Sequence, residues 1–478
     1  MGKTPLTTVD VDSERVAVAI IGGGPGGLMA AYLLQKRATF PIEITLFEAS
    51  DRLGGKVLTT RFASAPDIHY EAGAAEFYDY TQLGPDPLRD LIAELGLATS
   101  PMQAGGTIIG NRIVRDASDL RRELGESACL ALHQFEQQAR CLISQADYYE
   151  SDWRKDNNEP ISRQTFHDLL REVPDAIARD YLRMMSHSDL ACEPHQTNAS
   201  YGLQNHLMDE PDYMQLYSIT GGNEQLILAL AAGISAHVRL EQPVVRVECG
   251  PANTYQVTSS RYGQPETEDF DYVVVALPHG SLHTITWAGD QLDTAMREHH
   301  RFYDHPGHYL RVTMLFDRPF WRDHIRGSFF MLDAFGGCCL YDESARIDAG
   351  EMGVLGWLIA GEPALRLSNL NDATLVNQVM ASLPSVLQPD RVTPIEAKVH
   401  RWTGSVNALP AGVPARDPDS RHQPEPNQHP GLFVMGDYLF DSTINGVFDS
   451  ADTVVEWIRE EEAPELDAVT TADVGSVN

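Results

Sequence analysis

Residues 16–35 read VAVAIIGGGPGGLMAAYLLQ, and residues 42–56 read IEITLFEASDRLGGK. Val16 to Ile21 is an apolar run of strand length. Gly22, Gly24 and Gly27 follow it in G-x-G-x-x-G spacing, with Pro25 and Gly26 between them. A helical pattern then runs from about Gly26 to Gln35, and a second strand, Ile42 to Phe47, ends on Glu48. This order and spacing predict a βαβ unit that binds a dinucleotide. Gly22 permits the tight turn out of the strand, Gly24 leaves room for a pyrophosphate, and Gly27 lets the helix lie close to the sheet. The helix N-terminus offers free N–H groups and the positive end of its dipole to the phosphates. A carboxylate at Glu48 accepts from both ribose hydroxyls and repels a 2′-phosphate, which disfavours NADP.

The segment Glu48-Ala49-Ser-Asp-Arg52-Leu-Gly54-Gly55-Lys56 resembles the flavin-dependent amine oxidase superfamily. In that family the second strand ends in a Glu followed by an Arg and a Gly-Gly-Arg, and the segment wraps the FAD diphosphate. Lys56 stands in place of the last Arg, keeping the charge and losing the bidentate fork. The fold class implied is α/β, with a Rossmann-like FAD-binding domain (GR2-type), a mixed-sheet substrate domain and a helical insertion. Residues 1–80, 216–285 and 416–465 are expected to form the FAD-binding domain. Residues 81–215 are expected to form the helical part, 286–415 the substrate domain and 466–478 a disordered tail.

With 478 residues, 43% hydrophobic and 22% charged, the chain has material for two or three domains and an ample core. Its net charge of −32 repels nucleic acid and anionic membrane surfaces. The 6 Cys show no paired spacing and no Cys-x-x-Cys, which points to a reducing, cytoplasmic setting. No signal peptide precedes Val16, and no apolar run reaches membrane-spanning length. A homodimer is the oligomeric form kept open. No Ser/His/Asp or metal-ligating constellation stands out, and the Cys338-Cys339 pair reads as strand.

Further along, Val57 to Phe62 reads as a strand and Leu88 to Leu97 as a helix. Helices are also expected over Leu124 to Ala146, after a cap at Ser162, and over Asp175 to Met185. By resemblance, this helical stretch roofs the substrate funnel. The segment Gly73-Ala74-Ala75-Glu76 matches family residues beside the isoalloxazine ring. Snake-venom-type L-amino-acid oxidases carry a carboxylate-clamping Arg at the position of Glu76. A Glu there binds a substrate ammonium, stays protonated through burial, or is a solvent-facing or internally paired residue. Val244, in a strand read as Leu240 to Val247, matches the family valine whose backbone meets adenine.

Arg311, ten residues before Trp321, stands where relatives often place a Lys that holds a water near flavin N5. It is a candidate for oxygen activation, for anchoring a substrate carboxylate, or for a plain strand-edge role. Trp357 falls where monoamine oxidases place a cavity aromatic, or is a core residue. Trp402 matches a family Trp near the flavin. Leu409 to Pro430, rich in Pro and polar residues, reads as a surface loop without Cys. The covalent Cys–flavin link is therefore absent from its usual place, and FAD is expected to bind noncovalently.

The chain closes on Gly436-Asp437-Tyr438 and Asn445-Gly446-Val447-Phe448-Asp449-Ser450-Ala451. The family places such an acid at the ribityl and diphosphate, and the following helix N-terminus at the flavin N1–O2 edge. Gly-Val-Phe-Asp-Ser-Ala resembles the Gly-Trp-Ile-Asp-Ser-Thr of L-amino-acid oxidases. The resemblance implies an L-amino-acid oxidase that moves a hydride from Cα to flavin N5, yielding 2-oxo acid, ammonia and hydrogen peroxide with O2. Arg311 and Trp402 are its expected catalytic residues, and Glu76, Arg311, Trp357 and Val447 its substrate contacts. An amine or polyamine oxidase is the alternative, favoured by Glu76; a desaturase and a turnover-free flavin scaffold rank lower.

Overall fold

Val16–Ile21 and Ile42–Phe47 form strands with the limits read from their apolar runs. They pair in parallel, with Ile20 opposite Leu46, and Val18, Ala19 and Ile20 are fully buried. Burial on both faces explains the unbroken apolar reading. In this computed structural model, which describes residues 15–150, 160–251, 254–387, 392–413, 416, 418–440 and 442–462, they are the centre of a five-stranded sheet. Its order is His237–Arg239, Ile42–Phe47, Val16–Ile21, Tyr272–Val275, Leu432–Val434, parallel throughout. The tail 466–478 lies outside the described residues, as do residues 1–14.

Two helices cover one face of this sheet, Pro25–Arg37 and Ile444–Glu462. Leu28, Met29, Val454 and Val455 are buried in the same core. Arg37 pairs with Asp452 at 2.6 Å and Glu456 at 2.8 Å, so the two ends of the chain close on each other. A four-stranded sheet made by Val244–Cys249, Tyr255–Arg261, Gln264–Phe270 and Thr286–Ala288 covers the other face. The helix Asp290–Tyr303 belongs to that same core through Leu292, Met296 and Tyr303. Residues 286–303 thus pack with the nucleotide sheet, although they lie beyond position 285.

A seven-stranded mixed sheet forms the second body, in the order Glu396–Asn407, Pro306–Phe316, Gly353–Ala360, Cys338–Asp342, Phe329–Leu332, Ala104–Ile109, Arg112–Val114. Helices Glu126–Leu142, Phe166–Arg171, Ala176–Leu190 and Ala199–Leu207 make a third layer with its own apolar core. The molecule is α/β, a GR2-type nucleotide domain joined to a mixed-sheet domain and a helical insertion. No helix among the described residues is long and apolar enough to cross a membrane.

Local readings shift in several places; the strand expected over Leu240 to Val247 begins only at Val244 and runs to Cys249. The strand expected over Val57 to Phe62 shrinks to Thr59–Arg61. The helix that buries Phe166, Leu169 and Leu170 is capped by Thr165, whose hydroxyl accepts from the Asp168 N–H at 3.1 Å; Ser162 does not cap it. The single helix expected over Leu124 to Ala146 is broken at Gly125 and again after Leu142. The stretch from Leu409 to Pro430 is no plain surface loop, because His422 and His429 are buried in it. His422 Nδ1 lies 3.0 Å from the Val434 carbonyl, tying the loop to the nucleotide sheet.

Candidate active site

The glycine turn is shaped for a phosphate. Gly22 sits at φ +114°, and a Cβ there would stand 2.4 Å from the Ala276 carbonyl oxygen. A Cβ on Gly27 would stand 2.0 Å from the Gly22 carbonyl oxygen. Around Gly24 the Cβ position is empty to 4 Å, and the helix beyond it has no acidic residue in its first turn and no side-chain cap. The space, the open N–H groups and the dipole match a diphosphate. Gly55 closes on Gly24, its Cβ position 3.2 Å from the Gly24 Cα. A Cβ on Gly26 would stand 3.1 Å from Met435 and 3.2 Å from Val447, so the turn lies close against the C-terminal helix.

Glu48 is held at the edge of this cradle, where the sequence reading expects the ribose. Its Oε2 accepts from the Gly23 N–H at 2.8 Å, and its Oε1 from the Ser50 N–H at 2.8 Å. The N–H groups of Glu241 and Gln242 donate to the Ser50 and Glu48 carbonyls, at 2.8 and 2.9 Å. That brings the backbone leading into Val244 alongside Glu48 and Ala49, on the expected adenine side. Arg52 folds back on its own loop, donating to the Leu53 and Gly55 carbonyls. Replacing Glu48 with Ala is expected to weaken FAD binding about tenfold or more by removing a charged acceptor. Flavin occupancy after gel filtration measures it, and full retention would remove Glu48 from the ribose.

Beyond the turn lies a cavity of about 1260 Å³, the open mouth included. Pro25, Lys56, Gly73, Ala74, Ala75, Glu76, Arg311, Trp402, Asp437 and Val447 all line it. These residues, drawn from seven segments of sequence, meet at one place. Lys56 Nζ pairs with Asp437 Oδ2 at 2.9 Å and donates to the Ser405 carbonyl. The Trp402 indole N–H donates to the Ala72 carbonyl at 2.6 Å. Gly446 donates its N–H to the Thr443 hydroxyl at 3.0 Å in the opening of the last helix. Phe448, one turn along, instead borders a smaller neighbouring cavity with Tyr80 and Asn445.

Trp357 is the site residue that the structure moves. It is fully buried in the mixed-sheet core with Leu310, Val312 and Leu340, away from the cavity. Its neighbour Leu358 faces the cavity in its place. Arg311 lines the cavity but is spoken for. Its guanidinium pairs with Glu343, donates to the Gly73 carbonyl at 3.3 Å and stacks 4.7 Å from the Tyr341 ring. Glu343 also pairs with Arg346, which donates to the Ala75 carbonyl at 2.6 Å. Asn223 Nδ2 donates to the Ala74 carbonyl at 2.9 Å. Three side chains thus fix three successive carbonyls of the Gly73–Ala75 floor.

Glu76 Oε2 is buried with no partner. Burial pushes its carboxyl up, against the pull of Tyr341, Arg311 and Arg346. Glu71, next to this cluster, is raised to about 7 by burial and Glu343. Burial, helped by Asp209 and Glu76, drives Asp189 in the cavity wall well above the usual carboxylate range. The sequence reading missed Glu343, Arg346, Asp189, Gln204 and Asn445. Two signals were present: the acid–base pair Glu343–Arg346 three residues apart, and a polar Ser-His-Ser-Asp189 end on a helix that is buried there.

A family model described as flavin containing amine oxidoreductase matches residues 25–458. A Mycobacterium tuberculosis protein named as a flavin-containing monoamine oxidase is 25% identical over 84% of this chain and 86% of its own. The flavin-dependent L-tryptophan oxidase of Lentzea aerocolonigenes is 25% identical over 67% of this chain and 69% of its own. Among solved structures, cyclohexylamine oxidase from Brevibacterium oxydans superposes with a TM-score of 0.71 at 19% identity, covering 94% of this chain and 99% of its own.

Proposed function

The chain belongs to the flavin-containing amine oxidoreductase family, and from that premise we propose that it oxidises amines that carry no carboxylate. It is an oxidoreductase acting on CH–NH2 groups, with FAD as its cofactor. One observation carries the choice of substrate. Of the described residues that line the cavity, the cations are Lys56 and Arg311, and each is already ion-paired. The carboxyl of Glu76 keeps an oxygen with no partner. A buried acceptor without a donor costs about 1–3 kcal/mol, and an arriving amine N–H removes that cost. A substrate carboxylate would instead have to compete with Glu343 for Arg311.

Bound FAD supplies the acceptor for the hydride leaving the carbon next to nitrogen, the electrons passing on to O2 as hydrogen peroxide. The chain's own residues do the rest. Lys56, paired with Asp437, and the positive dipole end of Ile444–Glu462 place positive potential at the cofactor end. The Gly73–Ala75 floor is held rigid by Arg311, Asn223 and Arg346, which sets the angle of approach. Glu76 takes the proton that a substrate ammonium must shed, and its raised affinity for protons suits that task. The tyrosines of the wall, Tyr78, Tyr201 and Tyr309, keep the nitrogen's surroundings low in water.

The test is a peroxide assay on amines and on the amino acids that give those amines by decarboxylation. Peroxide from the amines alone is the expected result; turnover of the amino acids at higher kcat/KM overturns the reading. Glu76→Gln is expected to lower kcat/KM for amines about tenfold, with an altered acid limb in the pH profile. An unchanged profile would place Glu76 outside the reaction. The second reading, an L-amino-acid oxidase, draws on Arg311 Nε, which faces no partner. It predicts that Arg311→Met raises KM for amino acids.

A further inference from the structure

One side chain joins the cavity floor to Glu76. Tyr341 lies on the strand Cys338–Asp342, is 4% exposed, and shares an apolar cluster with Ala75, Met102, Met331 and Cys339. Its ring thus belongs to the same packed layer as the last residue of the Gly73–Ala75 floor. The guanidinium of Arg311 lies 4.7 Å from the ring centroid and that of Arg346 5.8 Å. These are the two arginines that hold the Gly73 and Ala75 carbonyls. Gly356 stands opposite Tyr341 in the neighbouring strand. Where its side chain would begin, Glu343 Oε1 is 3.5 Å away and Arg311 Nη2 3.7 Å, so a longer side chain would push into the ion pair.

The Tyr341 hydroxyl is hydrogen-bonded to the Glu76 carboxyl, whose Oε2 has no partner. Burial, then Cys339 and Glu76, keep the proton on the phenol, so the hydroxyl donates to an ionised Glu76. A donor of that kind favours the charged carboxyl. Burial pushes Glu76 up and Tyr341 pulls it back, ahead of Arg311 and Arg346, with Glu343 opposing them. Tyr78, Tyr309, Cys339 and Asp189 also stand near Glu76, and burial drives all four toward their neutral forms. We infer that Tyr341 is a positioning residue of the reaction. Its hydroxyl anchors the Glu76 carboxyl to the arginine-clamped floor that sets the angle of approach, and leaves one carboxyl oxygen open for the substrate nitrogen. This rests on the amine reading, in which Glu76 accepts the substrate's proton.

The experiment uses the full chain loaded with FAD. Tyr341→Phe keeps the ring beside the guanidiniums and removes only the hydroxyl. Glu76 then binds its proton more tightly. The acid limb of kcat/KM, for the best amine of the peroxide assay, is expected to move up by about one pH unit, the worth of one hydrogen bond to a charged acceptor. Affinity for tetramethylammonium, read from the flavin spectrum, is expected to shift its pH midpoint in the same direction. An acid limb left at the wild-type pH overturns the inference, whatever happens to the rate, because a packing role lowers the rate without moving the limb.

Glu76→Gln separates this role from the reading beneath it. An acid limb unaltered in Glu76→Gln removes Glu76 as the proton acceptor. A limb altered there and not in Tyr341→Phe removes only the role of Tyr341. In the Glu76→Gln background, Tyr341→Phe is expected to cost no further affinity for tetramethylammonium; a cost as large as in the wild type overturns the inference. Should Tyr341→Phe not fold, Glu76→Asp takes its place. That carboxylate is one methylene shorter and draws back from the hydroxyl, so the limb is expected to rise; a limb at or below the wild-type pH overturns the inference.

Discussion

Gly27→Ala is expected to yield protein that folds poorly and purifies without flavin, whereas Gly24→Ala is expected to fold normally and still fail to hold flavin. The difference lies in what each new methyl meets. At Gly27 it would stand 2.0 Å from the Gly22 carbonyl oxygen and 3.1 Å from Ile20 Cγ2, so the helix must lift from the sheet. Overpacking of that kind costs about 1–3 kcal/mol, and the displaced N-terminus no longer points at the diphosphate. At Gly24 nothing lies within 4 Å, so the flavin-free protein loses nothing. The methyl there occupies the approach of the phosphate and is expected to weaken FAD about tenfold or more. Thermal midpoints of flavin-free protein and equilibrium FAD titration separate the two cases. A lowered midpoint for flavin-free Gly24→Ala, or wild-type affinity in that variant, would refute the phosphate assignment.

Glu343→Gln is expected to be the most damaging single substitution in the cavity floor. The carboxylate is 2% exposed and is shared by Arg311, 1% exposed, and Arg346, 8% exposed. Removing it leaves two buried guanidiniums without their counter-charge, at a cost of about 3–5 kcal/mol. The carbonyls of Gly73 and Ala75 that those arginines hold then loosen, so flavin retention falls as well. The loss has a pH signature. Glu71 is held up at about 7 by burial and Glu343, and in the variant it releases its proton more readily beside Arg346. Below that range it is neutral and offers no replacement charge, so the destabilisation is expected to be greater at about pH 5 than at about pH 8. Chemical denaturation at the two pH values measures it; an equal loss at both would exclude Glu71 as the substitute, and a loss under about 1 kcal/mol would refute the shared-carboxylate account.

The nucleotide half of the site was legible because its rules are local. Gly22, Gly24 and Gly27 act on neighbours in the same turn, and Glu48 reaches only as far as Gly23 and Ser50. An apolar run buried on both sides is readable without knowing what lies against it, so Val16–Ile21 and Ile42–Phe47 emerged with their limits intact. The closing motif around Gly436 and Gly446 was legible by resemblance for the same reason.

The substrate half was decided by packing between distant segments. Arg311 reads as a free cation until the strand Cys338–Asp342 delivers Glu343 beside it. Trp357 and Leu358 sit on a strand with both faces covered, so alternation along Gly353–Ala360 gives no sign of which face is the core. Only the packing of that face, where the sheet neighbours Val312 and Leu340 share a core with Leu367, Leu375 and Val379, assigns Trp357 to the core and Leu358 to the cavity. Asp189 and Gln204 look like ordinary helix residues until the helical layer is laid across the cavity and their acceptors are buried. Short-range geometry in the sequence determined the shape of the glycine turn and its carboxylate neighbour; long-range burial, which sets the value of each charge, decided which charged groups face the cavity next to it.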